Sequence, residues 1–327
     1  MASIRTVLGD ISPADLGRTD YHEHLVQVTP LLPGDDLDDE RASSAEAGLL
    51  VASGFQAMID ATRTGLGRDP AAVARISAAR KLHVVVTTGA HREAHYTPNH
   101  WLLDLADSEL TAPFTADLET GMPAADCSQP TQPAFTPDGN PVRAGIAKAG
   151  VDYWKITAFE RRVLTAIAAA HAQTGAPLMV HLEHGSAAFE VLEMLSNEGV
   201  AADAVVLAHI DRNPDPYLHA ELAAAGAYLG YDGFARTRLW PDSTLLDCML
   251  RAAELGAVDR LLLGGDVARR TRHVSYGGMP GLAYLGERVV RRLEGGGHTD
   301  ILTKVLVENP ARLLARLTYA QIDNDHA

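Results

Sequence analysis

The sequence predicts an α/β protein, a (β/α)8 barrel of parallel strands, on three observations. Short apolar or β-branched runs recur eight times, each run is followed by a segment of helical spacing, and residues able to bind metals or move protons stand at the ends of the runs. Eight such units suggest a closed barrel more than an open sheet. In order, the strands are expected near 17–21, 57–62, 83–89, 144–148, 177–181, 204–209, 227–232 and 260–266. Helices are expected at 43–52, 70–81, 159–173, 187–197, 216–225, 244–255 and 282–293, with a terminal helix near 301–316. The start of the fourth-strand helix is signed by Thr157-Ala-Phe-Glu160, a capping box in which Thr157 accepts a first-turn N–H and Glu160 reaches back. Between His91 and Pro141 the pattern is poor apart from a helix at 108–119, and the Pro/Gly-rich stretch 122–141 reads as a functional loop on the barrel. With no repeat, no low-complexity tract and no second core, residues 1–327 read as one domain.

The composition fits this class. Of 327 residues, 46% are hydrophobic and 21% charged, which excludes disorder and collagen. Acidic side chains exceed basic ones, 42 to 28, giving a net charge of −14, a sign that argues against nucleic acid or an anionic membrane surface as partner. Cys127 and Cys248 are too few for a disulfide scaffold and lack the C-x-x-C spacing of a metal or redox site. The N-terminal run is interrupted by Arg5 and Asp10, and no run approaches the roughly 18 apolar residues of a membrane span, so a soluble, cytoplasmic protein is expected.

The chemistry begins at Asp20-Tyr21-His22-Glu23-His24. Positions i and i+2 of a strand share a face, so His22 and His24 can offer two imidazoles to one ion. Among 14 histidines a lone H-x-H is unremarkable. It gains weight from Lys148 on strand four, His181 on strand five, His209 on strand six and Asp266 on strand eight, all at the end where such barrels hold their active sites. A lysine fits among metal ligands only if it loses its proton. A deprotonated lysine can add carbon dioxide, and the resulting carbamate is an anionic bridge between two ions about 3.5–4 Å apart. Lys155 is the competing lysine, but it follows Asp152-Tyr153-Trp154 in a loop, whereas Lys148 closes an apolar run.

These segments, with Arg143-Ala-Gly-Ile-Ala-Lys148, Leu178-Met-Val-His181, Val206-Leu-Ala-His209 and Leu261-Leu-Leu-Gly-Gly-Asp266, resemble the phosphotriesterase family of the amidohydrolase superfamily. The resemblance implies two divalent ions, one held by His22, His24 and Asp266, the other by His181 and His209, with carbamylated Lys148 bridging. Asp266 is implied as the base taking the proton of the attacking hydroxide. Zinc is the first choice, and manganese, cobalt or iron suit the same donors. One-metal deaminases lack the strand-four lysine and deoxyribonuclease-like relatives carry glutamate there, so Lys148 argues against both. A homodimer is expected.

Loops set the substrate. After strand three the family places a Gly followed by aromatics, and this chain departs from it with Gly89-Ala-His91-Arg92-Glu-Ala-His95-Tyr96. His91 is read either as pocket lining or as a solvated loop residue. The stretches from Tyr231 to Trp240 and from Asp266 to Tyr276 hold five arginines, Arg236, Arg238, Arg269, Arg270 and Arg272, in an acidic protein. Strands seven and eight are where such barrels often bind phosphate, and guanidinium pairs bidentately with phosphate or carboxylate. The loops look most like the branch that hydrolyses sugar-acid lactones, including phosphorylated furanose lactones. The resemblance implies phosphate binding by Arg238 and Arg269, with Arg272 standing where the branch has tyrosine. Tyr231 is counted with Arg238, Arg269 and Arg272 as substrate-binding. The expectation is a hydrolase opening a lactone. Alternatives are an organophosphate triesterase, which wants a neutral aromatic pocket, another carboxylic ester hydrolase, and a non-catalytic binding protein, which would have lost ligands.

Overall fold

The computed structural model describes residues 2–28, 30–127, 131–236 and 238–316. Residues 128–130 of the 122–141 loop, Thr237, and residues 317–327 of the expected domain lie outside them. Eight strands form one parallel sheet in sequence order: β1 Thr19–Glu23, β2 Ala57–Asp60, β3 His83–Gly89, β4 Ile146–Val151, β5 Leu178–Leu182, β6 Val205–Ala208, β7 Tyr228–Tyr231 and β8 Leu261–Leu263. The seam between first and last strand is tied just past β8, where Asp266 N–H donates to the carbonyl of His22 at 2.8 Å. The barrel expected from the sequence is the observed fold.

Each strand alternates between two apolar layers, and that pleat decides which side chains reach the site. Val84, Ala147, Val180, Leu207, Leu229 and Leu263 face outward into the layer under the helices, while Val85, Ile146, Met179, Val206, Tyr228 and Leu262 fill the barrel interior. By the same alternation Lys148 and His181 point inward. Strand four runs three residues further than expected, because Ala149, Gly150 and Val151 keep pairing with Val180, His181 and Leu182. Lys148 therefore sits inside the strand and not at its end.

The helices start where the chain offers caps. α1 (Glu40–Ala52) begins at Asp39, and α2 (Pro70–Arg80) at Asp69 with proline in its first turn. α3 (Asp107–Glu119) occupies the expected helix between β3 and β4. α4 (Ala158–Thr174) has the expected capping box and ends at Gly175, whose φ of 65° suits glycine. α5 (Ala188–Asn197), α6 (Pro216–Ala224) and α7 (Asp242–Ala252) follow their strands, and further helical turns run from Leu285 to Leu314. At the opposite end from the site, a hairpin of Ile4–Thr6 and Gly9–Ile11 plugs the barrel, with Ile4 and Leu16 in the interior cluster. Ser3 and Arg316 exchange backbone bonds of 3.2 and 2.9 Å there, and the buried Arg316 guanidinium donates to Gly145 O at 2.6 Å. Among the described residues no helix is long and apolar enough to cross a membrane.

Candidate metal centre

The strands and the turns just past them bring His22, His24, Lys148, His181, His209 and Asp266 together, all buried. Ring centroids of His22 and His209 lie 4.9 Å apart, and those of His181 and His209 4.4 Å. Asp266 Oδ1 is 3.7 Å from Nε2 of both His22 and His24.

Each imidazole has one nitrogen engaged from behind, which settles the nitrogen left for an ion. Asp232 is the main partner: its carboxylate takes Nδ1 of His209 at 2.6 Å and Nδ1 of His22 at 3.1 Å, while the Tyr21 hydroxyl also donates to it. Thr62 Oγ1 lies 2.8 Å from Nδ1 of His24. These three histidines thus keep Nε2 for the centre. His181 is the reverse, with Nε2 on Glu183 at 2.8 Å and a buried Nδ1 that has no partner. His22, His24 and Asp266 form a group of donor atoms close enough to share an ion. His22, His209 and Asp232 lie equally close together, but Asp232 faces the Nδ1 side of both rings and so orients them instead.

Burial pushes the imidazoles down, His209 to about 3 and His24 and His181 well below their ordinary value, so they are neutral donors at neutral pH. Lys148 is held far below a normal lysine by burial and then by the nearby Arg63 guanidinium, and its Nζ lies 2.9 Å from Nε2 of His22. Among the described residues it has no carboxylate partner, and burial favours its neutral amine, the form that can take up carbon dioxide or donate a lone pair. Asp266 is the opposite case: burial would raise it, yet Arg236, His209, His24 and His22 hold it well below the carboxylate range. Arg212 donates to Asp266 Oδ2 at 3.2 Å, and Arg236 donates to the same oxygen and to the Asp266 carbonyl.

A cavity of about 210 Å³ opens over this cluster. His24, His91, His95, His181 and Asp266 line it together with Arg63, Arg92, Arg212, Arg236 and Arg269. His91 is buried lining, stacked on His95 with centroids 3.5 Å apart, and not a solvated loop residue. Of the substrate-binding candidates, only Arg269 lines the cavity. Arg238 is exposed outside the lining. Arg272 points behind the end of β8, donating to Phe234 O at 3.4 Å and facing a small pocket beside Glu23 and Val267. Tyr231 is turned away by the pleat: inward positions on this strand are Tyr228, Gly230 and Asp232, and the Tyr231 hydroxyl is buried against His219 of α6 and Cys248 of α7. Sequence reasoning missed Asp232, Thr62 and Glu183 as orienting groups and Arg63, Arg92 and Arg212 as lining. For Asp232 the signal was present, since it ends strand seven as His209 ends strand six.

The model of the Phosphotriesterase family matches residues 2–314 of the chain. A phosphotriesterase homology protein of Mycobacterium tuberculosis is 32% identical, with 97% of this chain and 98% of that protein covered. A phospho-furanose lactonase of Mycoplasmopsis agalactiae is 29% identical, with 95% and 91% covered. Among solved structures, a lactonase of Listeria monocytogenes superposes with a TM-score of 0.85 at 29% identity, covering 97% of this chain and 100% of that one.

Proposed function

The chain belongs to the phosphotriesterase family, and from that premise we propose that it is a metal-dependent hydrolase that opens the ring of a small sugar-acid lactone carrying a phosphate remote from the ester. The observation that carries the reading is the cavity itself: five guanidiniums and two carboxylates, Asp266 and Glu183, line a space directly above four neutral histidines. A strongly acidic protein has concentrated positive charge where its substrate enters. The likeness to a protein named phospho-furanose lactonase supports the same class.

On this reading His22, His24 and Asp266 would hold one divalent ion, His181 and His209 a second, and Lys148 as a carbamate would be a ligand to both, with zinc the first choice of metal. When bound, the two ions supply Lewis acidity toward the lactone carbonyl and acidify water. The chain does the rest. Asp232, Thr62 and Glu183 fix the four imidazole planes, and Asp266 takes the proton of the attacking water at a carboxylate oxygen that Arg236 and the surrounding histidines keep ionised. The new C–O bond forms at the carbonyl carbon, the ring C–O bond breaks, and the proton passes to the departing alkoxide, giving the open hydroxy acid. The working protein is taken as a cytoplasmic homodimer, residues 1–327 acting as one hydrolase domain.

The test is a panel of furanose lactones with and without a phosphate, run beside an aryl phosphotriester on protein loaded with zinc or manganese. The phosphorylated lactone is expected to show the highest kcat/KM. An aryl phosphotriester turned over faster would favour the triesterase instead, a reading that must contend with a lining free of Phe, Tyr and Trp.

Two further results are expected. Asp232→Asn keeps the shape of the group that orients His22 and His209 but removes its charge, so metal affinity measured against a competing chelator should weaken about 10- to 100-fold. Arg269→Ala should lose a charge-assisted contact of about 1.5–3 kcal/mol, lowering kcat/KM roughly 10- to 150-fold on the phosphorylated lactone only. Arg238→Ala, outside the lining, should cost less; equal losses on charged and neutral lactones would make both arginines structural.

A further inference from the structure

Arg63 stands three residues past the end of β2, in Asp60-Ala-Thr-Arg63, with a relative exposure of only 4%. Among the described residues its guanidinium donates no hydrogen bond and meets no carboxylate, and its Nε is a buried nitrogen without an acceptor. The acids around it are spoken for. Asp60 accepts from the N–H groups of Leu25 and Thr62, and Asp266 is held by Arg212 and Arg236. Burial lowers Arg63 to about 10, which leaves it a cation at neutral pH.

Arg92, Arg212 and Arg236 share the orphaned Nε, but their terminal nitrogens are held in ion pairs. Arg92 pairs with Asp152 at 2.9 Å and Glu183 at 3.5 Å, and Arg212 with Asp266 at 3.2 Å and Glu183 at 3.8 Å, while Arg236 is bound to Asp266. Only Arg63 and Arg269 line the cavity with no ion pair among the described residues, one buried and the other exposed at the mouth. A buried cation without a counter-charge is costly, and a fold keeps one where a ligand supplies the missing charge. Two unpaired guanidinium forks suit a dianion better than a single charge. They flank the loop after β1, whose Gln27, Leu31 and Leu32 complete that side of the cavity.

We propose that Arg63 is the buried half of a phosphate subsite, shared with Arg269 on the β8–β1–β2 side of the mouth, and that it sets the preference for a phosphorylated over an unphosphorylated sugar ring. The reaction part rests on the lactonase reading above, but the binding part does not. Arg63 touches the remote group and not the reacting ester, so it acts on specificity.

The experiment compares metal-loaded wild type, Arg63→Gln and Arg63→Lys by calorimetry with ribose 5-phosphate and with ribose, neither of which is a lactone. Wild type should bind the phosphorylated sugar more tightly, and in Arg63→Gln the ratio of the two affinities should fall roughly 10- to 150-fold. Arg63→Lys should restore part of it, since an ammonium keeps the charge without the fork. Removing an unpaired buried charge is compatible with folding, and the lysine variant covers the case in which glutamine is not. A wild type that does not distinguish the two sugars overturns the proposal. So does an equal loss on both, or loss of bound metal from Arg63→Gln, which would assign the guanidinium to the Lys148 side of the centre. Should Arg63 govern phosphate affinity while no lactone is opened, the subsite stands and the lactonase reading falls.

Discussion

Lys148→Ala is expected to release metal, from about two ions per chain to fewer than one, and to reduce turnover to the level of unassisted hydrolysis. The lysine has no structural reason to be where it is. It is fully buried, makes no ion pair with a carboxylate among the described residues, and places its nitrogen 2.9 Å from the Nε2 that His22 keeps for the centre. Lys148→Met keeps the aliphatic volume inside the barrel and removes only the nitrogen, so it separates loss of the bridge from a packing defect. Metal analysis beside thermal melting reads both. Lys155→Ala is the control, since Lys155 is exposed in the loop after β4. Two ions retained in Lys148→Met with full activity would dismiss the bridge, and exchanged results for the two lysines would move it to the loop.

Asp266→Asn is expected to lower kcat by roughly 10²- to 10⁴-fold, the usual scale for a lost general base. The substitution is unusually clean for the backbone. Asp266 sits at φ 46°, a left-handed conformation that asparagine tolerates, so the chain path is kept. The amide keeps an oxygen facing His22 and His24. It also leaves Arg212 and Arg236 without their shared carboxylate, so a fall in melting temperature should accompany the kinetic loss. Unchanged kcat with metal intact would remove the base role.

The sequence carried the architecture well, because period and order are local properties: all eight strands and the capped α4 fall within a few residues of expectation. It also carried the inward histidines, since a polar residue ending an apolar run in a barrel has one place to go. What it could not carry was parity. In a parallel barrel both faces of a strand are apolar, so Tyr228-Leu-Gly-Tyr231 offers an aromatic on each face and no alternation to choose between them. Nothing in the run shows that Tyr231 faces away from the site and that Asp232, one residue on, faces it. Among the arginines, Arg269 lines the cavity and the others do not follow the sequence so directly. Arg238 and Arg272 lie on loops whose path depends on distant packing, whereas Arg63 was hidden in a run with no basic cluster to draw the eye.

Early and late parts of the chain meet twice: at the seam, where Asp266 N–H reaches the carbonyl of His22, and at the plug, where Ser3 and Arg316 pair. During synthesis, the first candidate ligands, His22 and His24, emerge long before Asp266. Until β8 has left the ribosome and closed against β1, the nascent chain offers at most an incomplete ligand set on an open sheet edge. A complete set of candidate ligands is therefore a property of the finished barrel. Until then His22 and His24 are two donors without the carboxylate that stands beside them in the closed barrel.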